Sequence, residues 1–296
     1  MLRMGIIGAE NSHAGAISHI INVEQAIPDM AVTHIWGETK AFAQATAEKG
    51  QIPTIVRDPL QMLGEIDCLM VDHRHGKYHL AAAAPFVDAG LPCFIDKPLC
   101  TSVKEGKWFL ARRREKGVAV TTFSAISQQS CIPGIKDEIA KLGKLRVAQI
   151  FGPGDWKGKY GGIFFYGIHC VDLMTELFGP GVETVGAATN GKTCSLVCRY
   201  PDELNVLITT HAAGPGGWTL TVTGENGTYH TPVSMDENGY LPGTRRFVEM
   251  FRTGIEPYDD ARMLAPVSVL EAAAKSITEK KRVKTAAVAM PVLSGR

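Results

Sequence analysis

The run Phe94-Ile95-Asp96-Lys97-Pro98 sets a lysine at the end of an expected buried strand, just ahead of a helix. Open α/β sheets assemble their ligand sites at such strand ends. An ammonium group placed there can hold a substrate oxygen and steady the charge that develops on it. The proline that follows biases Lys97 towards an extended backbone and narrows the directions its side chain can take. Downstream, His169 is the matching candidate for taking a proton, since an imidazole titrates near pH ~6.5. Asp172, three residues on, lies on the same helical face and is expected to orient it. Tyr166 offers a hydroxyl beside them. The plainer readings are a solvated lysine at a helix start and a core histidine satisfied by hydrogen bonds.

The stretch Gly152 to Tyr166 carries Trp156, Tyr160, Phe164, Phe165 and Tyr166 among glycines, beside Asp155, Lys157 and Lys159. Flat aromatic faces next to polar groups suit a sugar or polyol-like ligand, although loop packing explains them equally well.

The elements that must position these residues follow a β-α alternation. Short apolar strands are expected at 2–7 and 31–36, with a helix from about Ser12 to Gln25 between them. Ile66 to Asp72, a helical stretch to Gly90 and the strand before Lys97 repeat the pattern. Asp58-Pro59 reads as a helix start and Ser102-Val103-Lys104-Glu105 as a capping box. Such repetition requires a parallel sheet with right-handed crossovers, a Rossmann-type doubly wound domain over residues 1–124. After a helix near 135–142 the pattern changes. Runs at 194–200, 204–211 and 218–223 are separated by Pro201-Asp202, Gly214-Pro215-Gly216-Gly217 and Glu225-Asn226-Gly227, the signature of antiparallel hairpins. Helices return at about 244–253 and 260–279. Residues 125–296 are therefore expected to form an α+β domain on an open, largely antiparallel sheet.

A glycine at the first β-α turn suggests a pyrophosphate held on backbone N–H groups. The G-x-G-x-x-G template laid on Gly8 falls on Gly8, Glu10 and His13, so two of its three glycines are absent. Glu10 would bring negative charge towards the phosphates unless it turns away. Asn11 or Ser12 could cap the helix and offer donors, with His13 as a further donor when protonated. Glu38, at the end of the second strand, is placed to accept from ribose hydroxyls, which favours NAD over NADP, while Lys40 stands near enough to meet a 2′-phosphate.

From "IDCLMVDHRHGKYHLAAAAPFVDAGLPCFIDKPLCTSVKEG" the chain resembles the Gfo/Idh/MocA family of NAD(P)-dependent oxidoreductases, whose usual Glu-Lys-Pro is here Asp96-Lys97-Pro98. The resemblance continues through Gly161-Gly162, His169 and Asp172 to "FVEMFRTGIEPYDDARMLAPVSVLEAAAKS". It implies hydride transfer between NAD or NADP and a hydroxyl-bearing carbon, with Lys97, Asp96, Asp72, His73 and His79 facing the cofactor. It also implies a homodimer or homotetramer in which a second subunit covers the open sheet. The family places an aspartate four residues before the histidine; here Phe165 stands there, and Tyr166 is the candidate to substitute for the lost carboxylate through its own hydroxyl.

Composition bounds the alternatives. The 296 residues, 45% hydrophobic and 21% charged, read as an ordinary globular protein of about two domains. With 31 basic against 30 acidic residues and a net charge of +1, nothing favours nucleic acid. No apolar stretch approaches the ~18 residues that span a bilayer, so a cytoplasmic protein is expected. Seven cysteines without a C-x-x-C pair suggest reduced thiols. Asp72-His73-Arg74-His75 with His79 offers a rival, a metal-dependent hydrolase using His73 and His75, which the positive charges of Arg74 and Lys77 oppose. No metal ligand set is expected. A third reading is a non-catalytic binding or regulatory protein on the same scaffold.

Overall fold

The computed structural model describes residues 1–214 and 216–289. It contains the parallel sheet and the mostly antiparallel sheet expected from sequence, each in its own compact unit. The division is not a single cut at 124. The first unit comprises Met1–Cys100, Trp108–Phe123 and Asn238–Tyr258; the second comprises Thr101–Lys107, Ser124–Glu237 and Asp259 onwards.

In the first unit β1 (Leu2–Ile7), β2 (Met30–Trp36), β3 (Thr54–Ile55), β4 (Cys68–Val71), β5 (Cys93–Ile95) and β6 (Val120–Thr121) form a parallel sheet in the order β3-β2-β1-β4-β5-β6. Helices α1 (Ser12–Ser18), α2 (Lys40–Gly50), α3 (His79–Asp88) and α4 (Val103–Lys116) run between strands, and α1 continues as a π-helical turn through Val23. Strands β4 and β5 are buried throughout, as continuous apolar runs in a sheet covered on both faces must be. The order reverses between β1 and β4, so the chain segments leaving these strands and β5 converge at a topological switch point.

A late helix, α7 (Leu241–Thr253), belongs to this unit rather than to the second. Its apolar face carries Phe247, Val248, Met250 and Phe251, all buried, and Phe247 stacks on Phe94 of β5 with ring centroids 4.4 Å apart. Burial of such a stripe stabilises the unit by about 1.5–3 kcal/mol for each large side chain. That gain explains why the chain returns.

The second unit holds α5 (Ile132–Ala140), β7 (Leu145–Pro153), α6 (Ile163–Phe178), β8 (Thr184–Asn190), β9 (Thr193–Arg199), β10 (Asn205–His211), β11 (Trp218–Gly224), β12 (Gly227–Val233), α8 (Asp260–Glu279) and β13 (Val283–Lys284). The sheet order is β12-β11-β7-β10-β9-β8-β13. Hairpins join β8 to β9, β9 to β10 and β11 to β12. The expected continuation from β10 to β11 does not occur: β7 lies between them, parallel to β10 and antiparallel to β11. The register sets Ile150 of β7 opposite both Ile208 and Leu220, so three fully buried side chains line one face. Within the intervening turn at 214–217, Pro215 lies outside the described residues. This face packs in one core with Val171, Leu173 and Met174 of α6 and Leu270 and Ala273 of α8. Alternation leaves Val147 and Phe151 exposed on the other face.

Candidate functional site

The first unit gathers five polar or ionisable side chains on the segments that leave β1, β4 and β5. Lys97 is only 5% exposed, and its Nζ lies 3.5 Å from Asp96 Oδ2. The side chain therefore does not point into bulk water. Asp96 Oδ1 lies 3.0 Å from His13 Nδ1. The Asn11 carboxamide donates to Asp72 Oδ1 at 2.9 Å and to Asp96 Oδ2 at 3.0 Å, and Ala14 N donates to Asp72 Oδ2 at 2.7 Å. Burial and the charge of Asp96 lift the Asp72 carboxyl well above the usual carboxylate range, against the pull of Lys97. Burial acts the same way on Asp96, but the charges of His13 and Lys97 outweigh it and hold that carboxyl well below its ordinary value.

Several sequence expectations are redirected here. Asn11 stands at the N-cap of α1 but makes no side-chain cap, because its amide is turned inward to satisfy two buried carboxyls. Ser12 is exposed. Glu38, expected to await a ribose, already accepts from Ala9 N at 2.9 Å and Glu10 N at 3.0 Å through one oxygen and faces His73 Nδ1 at 2.9 Å through the other. Burial alone raises the Glu38 pKa, but hydrogen bonds from His73, from Ala9 and from the backbone of Glu38 and Glu10 hold it at about 2. Glu10 thus contributes its backbone N–H to the turn. Gly8 has φ +108°, and an added Cβ would stand 2.5 Å from Asp72 C and His73 N, so the turn needs glycine for both reasons.

The histidines after β4 do not form a metal set. His73 is engaged by Glu38, His75 Nδ1 accepts from Lys77 N, and the fully buried His79 places Nδ1 2.7 Å from Pro98 O and Nε2 2.7 Å from His73 O. Burial lowers the His79 pKa against the pull of these two carbonyls and of Asp96. Its structural effect is to tie the Lys97-Pro98 turn to the end of β4. His13, Asp72 and Asp96 each bring one atom within 4.8 Å of the others. The Lys97 ammonium lies 3.5 Å from Asp96 Oδ2, and the Asn11 amide donates to that oxygen and to Asp72 Oδ1.

The second unit holds the other candidates. His169 of α6 is 7% exposed, with Nδ1 2.7 Å from Ser124 Oγ and ring contacts to Tyr166 and Trp218. Asp172 does not reach His169 directly. Its Oδ2 accepts from Ser124 N at 2.9 Å and Ser127 Oγ at 2.6 Å, and its Oδ1 accepts from Arg262 Nη1 at 2.8 Å. Ser124 is the link: its N–H goes to Asp172 and its hydroxyl to His169. Sequence reasoning missed Ser124 and Arg262, because both stand among other polar residues and nothing in their type or spacing sets them apart. Tyr166 is 39% exposed with its ring 5.5 Å from that of His169. Of the aromatic loop, Trp156 donates to Gly191 O, Tyr160 packs on Phe165, and Phe164 is buried.

A buried lysine and a glycine-turned strand end at the switch point of a six-stranded parallel sheet agree with what the chain matches. Residues 2–124 match the Gfo/Idh/MocA family model, described as an oxidoreductase family with an NAD-binding Rossmann fold. This part of the chain is similar to the Gfo/Idh/MocA family. A curated relative, trans-1,2-dihydrobenzene-1,2-diol dehydrogenase of Oryctolagus cuniculus, is 24% identical over 196 residues, which cover 60% of this chain and 58% of the relative. Among solved structures, GenD2 from gentamicin A biosynthesis, in complex with NAD, superposes with a TM-score of 0.85 at 17% identity over 97% of each chain. The Lactobacillus casei scyllo-inositol dehydrogenase with bound NAD(H) and scyllo-inositol gives 0.83 at 13% identity over 96% of this chain and 99% of that one. These likenesses carry the fold. No helix among the described residues is long and apolar enough to cross a membrane.

Proposed function

We propose that the protein is an NAD-dependent oxidoreductase that moves a hydride between the cofactor and the CH–OH carbon of a sugar, polyol or related small molecule. The carrying observation is the buried Lys97, paired to Asp96 at the strand ends of a domain of the NAD-binding Rossmann family. The polyol class is supported by the relatives, one of which was solved with scyllo-inositol, and by the exposed ring of Tyr166.

The dinucleotide would be held by the Gly8 to His13 turn and by Glu38, and when bound it supplies the hydride acceptor. The ionised Glu38 disfavours a 2′-phosphate, so NAD rather than NADP is the cofactor. Lys97 holds the substrate oxygen and stabilises charge on it. His169 moves the proton, kept in orientation by Ser124, and Asp172 acts on it through Ser124 as a positioning residue. A second copy of the chain covers the exposed sheet face, as a homodimer or homotetramer, which light scattering at micromolar concentration tests. The seven free cysteines, six of them buried, fit a reducing compartment, the cytoplasm.

The test is a fluorescence titration with NAD(H), followed by steady-state kinetics on a panel of polyols. Lys97→Met and His169→Ala each lower turnover at least about a hundredfold while cofactor affinity stays nearly unchanged. Absence of NAD(H) binding would overturn the assignment in favour of a non-catalytic binding protein. Parallel loss of binding in both variants would overturn the division of roles.

A further inference from the structure

An aromatic series in the second unit runs to His169. Tyr160 tilts onto Phe165 with ring centroids 5.1 Å apart, and Phe165 meets Tyr166 edge-on at 4.9 Å. Tyr166 meets His169 at 5.5 Å, and His169 meets Trp218 at 5.7 Å. Each step lies within the range of about 4.5–7 Å at which rings attract one another, so the five hold one another in place. His169 is 7% exposed, whereas Tyr166 is 39% exposed and Tyr160, Phe165 and Trp218 are partly exposed. Both residues that touch the imidazole therefore keep surface open.

The backbone builds this arrangement. Phe165 and His169 stand one turn apart on the same face of α6. Trp218, the first residue of β11, lies where β7 carries Gly152, and a Cβ on that glycine would stand 2.4 Å from Trp218 Cδ1 and 2.6 Å from its Nε1. The missing side chain lets the indole lie close against the strand. The three carboxyl side chains between Gly152 and Phe178 are all engaged within the protein. Asp155 Oδ1 accepts from Lys157 N at 2.9 Å inside its own turn, Asp172 accepts from Ser124, Ser127 and Arg262, and Glu176 accepts from Lys136 and Arg262.

We propose that this series is a substrate wall, and that the substrate is a carbocyclic ring with one or two hydroxyls, whose apolar face stacks on Phe165 and Tyr166 while a hydroxyl reaches His169. A fully hydroxylated polyol would set hydroxyl groups against ring carbons, where they lose water and meet no acceptor. In an apolar pocket a single added hydroxyl already weakens selection by up to about a hundredfold. The inference narrows the oxidoreductase reading and rests on it for the fate of the bound ring, though not for its binding.

Two probes isolate the hydroxyls. trans-Cyclohexane-1,2-diol and myo-inositol share a six-membered ring and differ by four hydroxyl groups. Their dissociation constants are measured by ligand-observed NMR on the full chain, with and without NAD+. The diol binds at least about tenfold more tightly than inositol. Phe165→Asp places a carboxylate one turn before His169, where it accepts from hydroxyls, and narrows that ratio at least about fivefold. Tyr166→Ala, at an exposed position that folding tolerates, weakens the diol at least about fivefold and leaves inositol within about twofold. Inositol binding as tightly as the diol, binding of neither under either condition, or equal effects of Tyr166→Ala on the two ligands would overturn the proposal. A blank NAD(H) titration with diol binding intact would overturn the oxidoreductase reading alone.

Discussion

Arg262 is the side chain whose removal should most directly expose how the second unit is held. It is 8% exposed, and its two terminal nitrogens reach Asp172 Oδ1 at 2.8 Å, Asp172 O at 3.3 Å and Glu176 Oε2 at 3.1 Å. Asp172 is 3% exposed, so Arg262→Met leaves a carboxylate in the core without its counter-ion while Met fills most of the volume. Breaking a buried pair in this way costs about 3–5 kcal/mol, because the desolvated charge loses its compensation. Hydrogen exchange followed by mass spectrometry reads this locally. Amides of α6 should lose protection by about a hundred- to several-thousand-fold, at roughly tenfold per 1.4 kcal/mol, while β1 and β4 in the other unit change little. Adding Asp172→Asn removes the orphaned charge, so the double variant should be less destabilised than Arg262→Met alone. Protection of α6 within about threefold of wild type would refute the reasoning, since the pair would then contribute no more than a surface salt bridge.

Glu38 predicts an acid-sensitive first unit. Its folded pKa of about 2 lies below the ordinary 4.5, so its contribution is present above pH 4.5 and is lost as pH falls towards 2. The displacement sets a ceiling of about 3 kcal/mol, and solvent screening of a half-buried group reduces this to about 1–2 kcal/mol; denaturant midpoints across this window should fall in wild type and stay flatter in Glu38→Gln. Gly8→Ala forces a left-handed backbone onto a residue whose Cβ meets Asp72 C and His73 N at 2.5 Å, and should cost about 2–5 kcal/mol in urea denaturation. A value under about 1 kcal/mol would mean that the turn relaxes freely. His79→Leu removes the ring that lies between two buried carbonyls, and the hydrogen bond it donates to one of them, and should destabilise by about 1–3 kcal/mol. Thermal unfolding indistinguishable from wild type would show that water replaces the ring.

Much of the architecture was readable in the residues. Apolar runs at strand length, broken by glycines and helix caps, specify β-α repetition, and the Asp96-Lys97-Pro98 run could be placed at a strand end before any coordinate was known. Local period and turn chemistry depend on neighbours within a few positions, which is why they survive in a linear reading. The return of α7 to the first unit and the insertion of β7 between β10 and β11 were not readable, because each depends on which apolar face meets which across a hundred residues or so.

The partners of the active side chains divide in the same way. Residue type and spacing, together with the family resemblance, selected Lys97, His169, Asp172, Glu38 and the Gly8 turn. Folding chose their contacts: Glu38 with the amides of Ala9 and Glu10, Asn11 inward to Asp72 and Asp96, and Asp172 to Arg262 ninety positions away. A buried polar group must find whatever donor or acceptor the packed interior brings within about 3 Å. That choice is made by the meeting of distant segments, and no pattern along the chain records it.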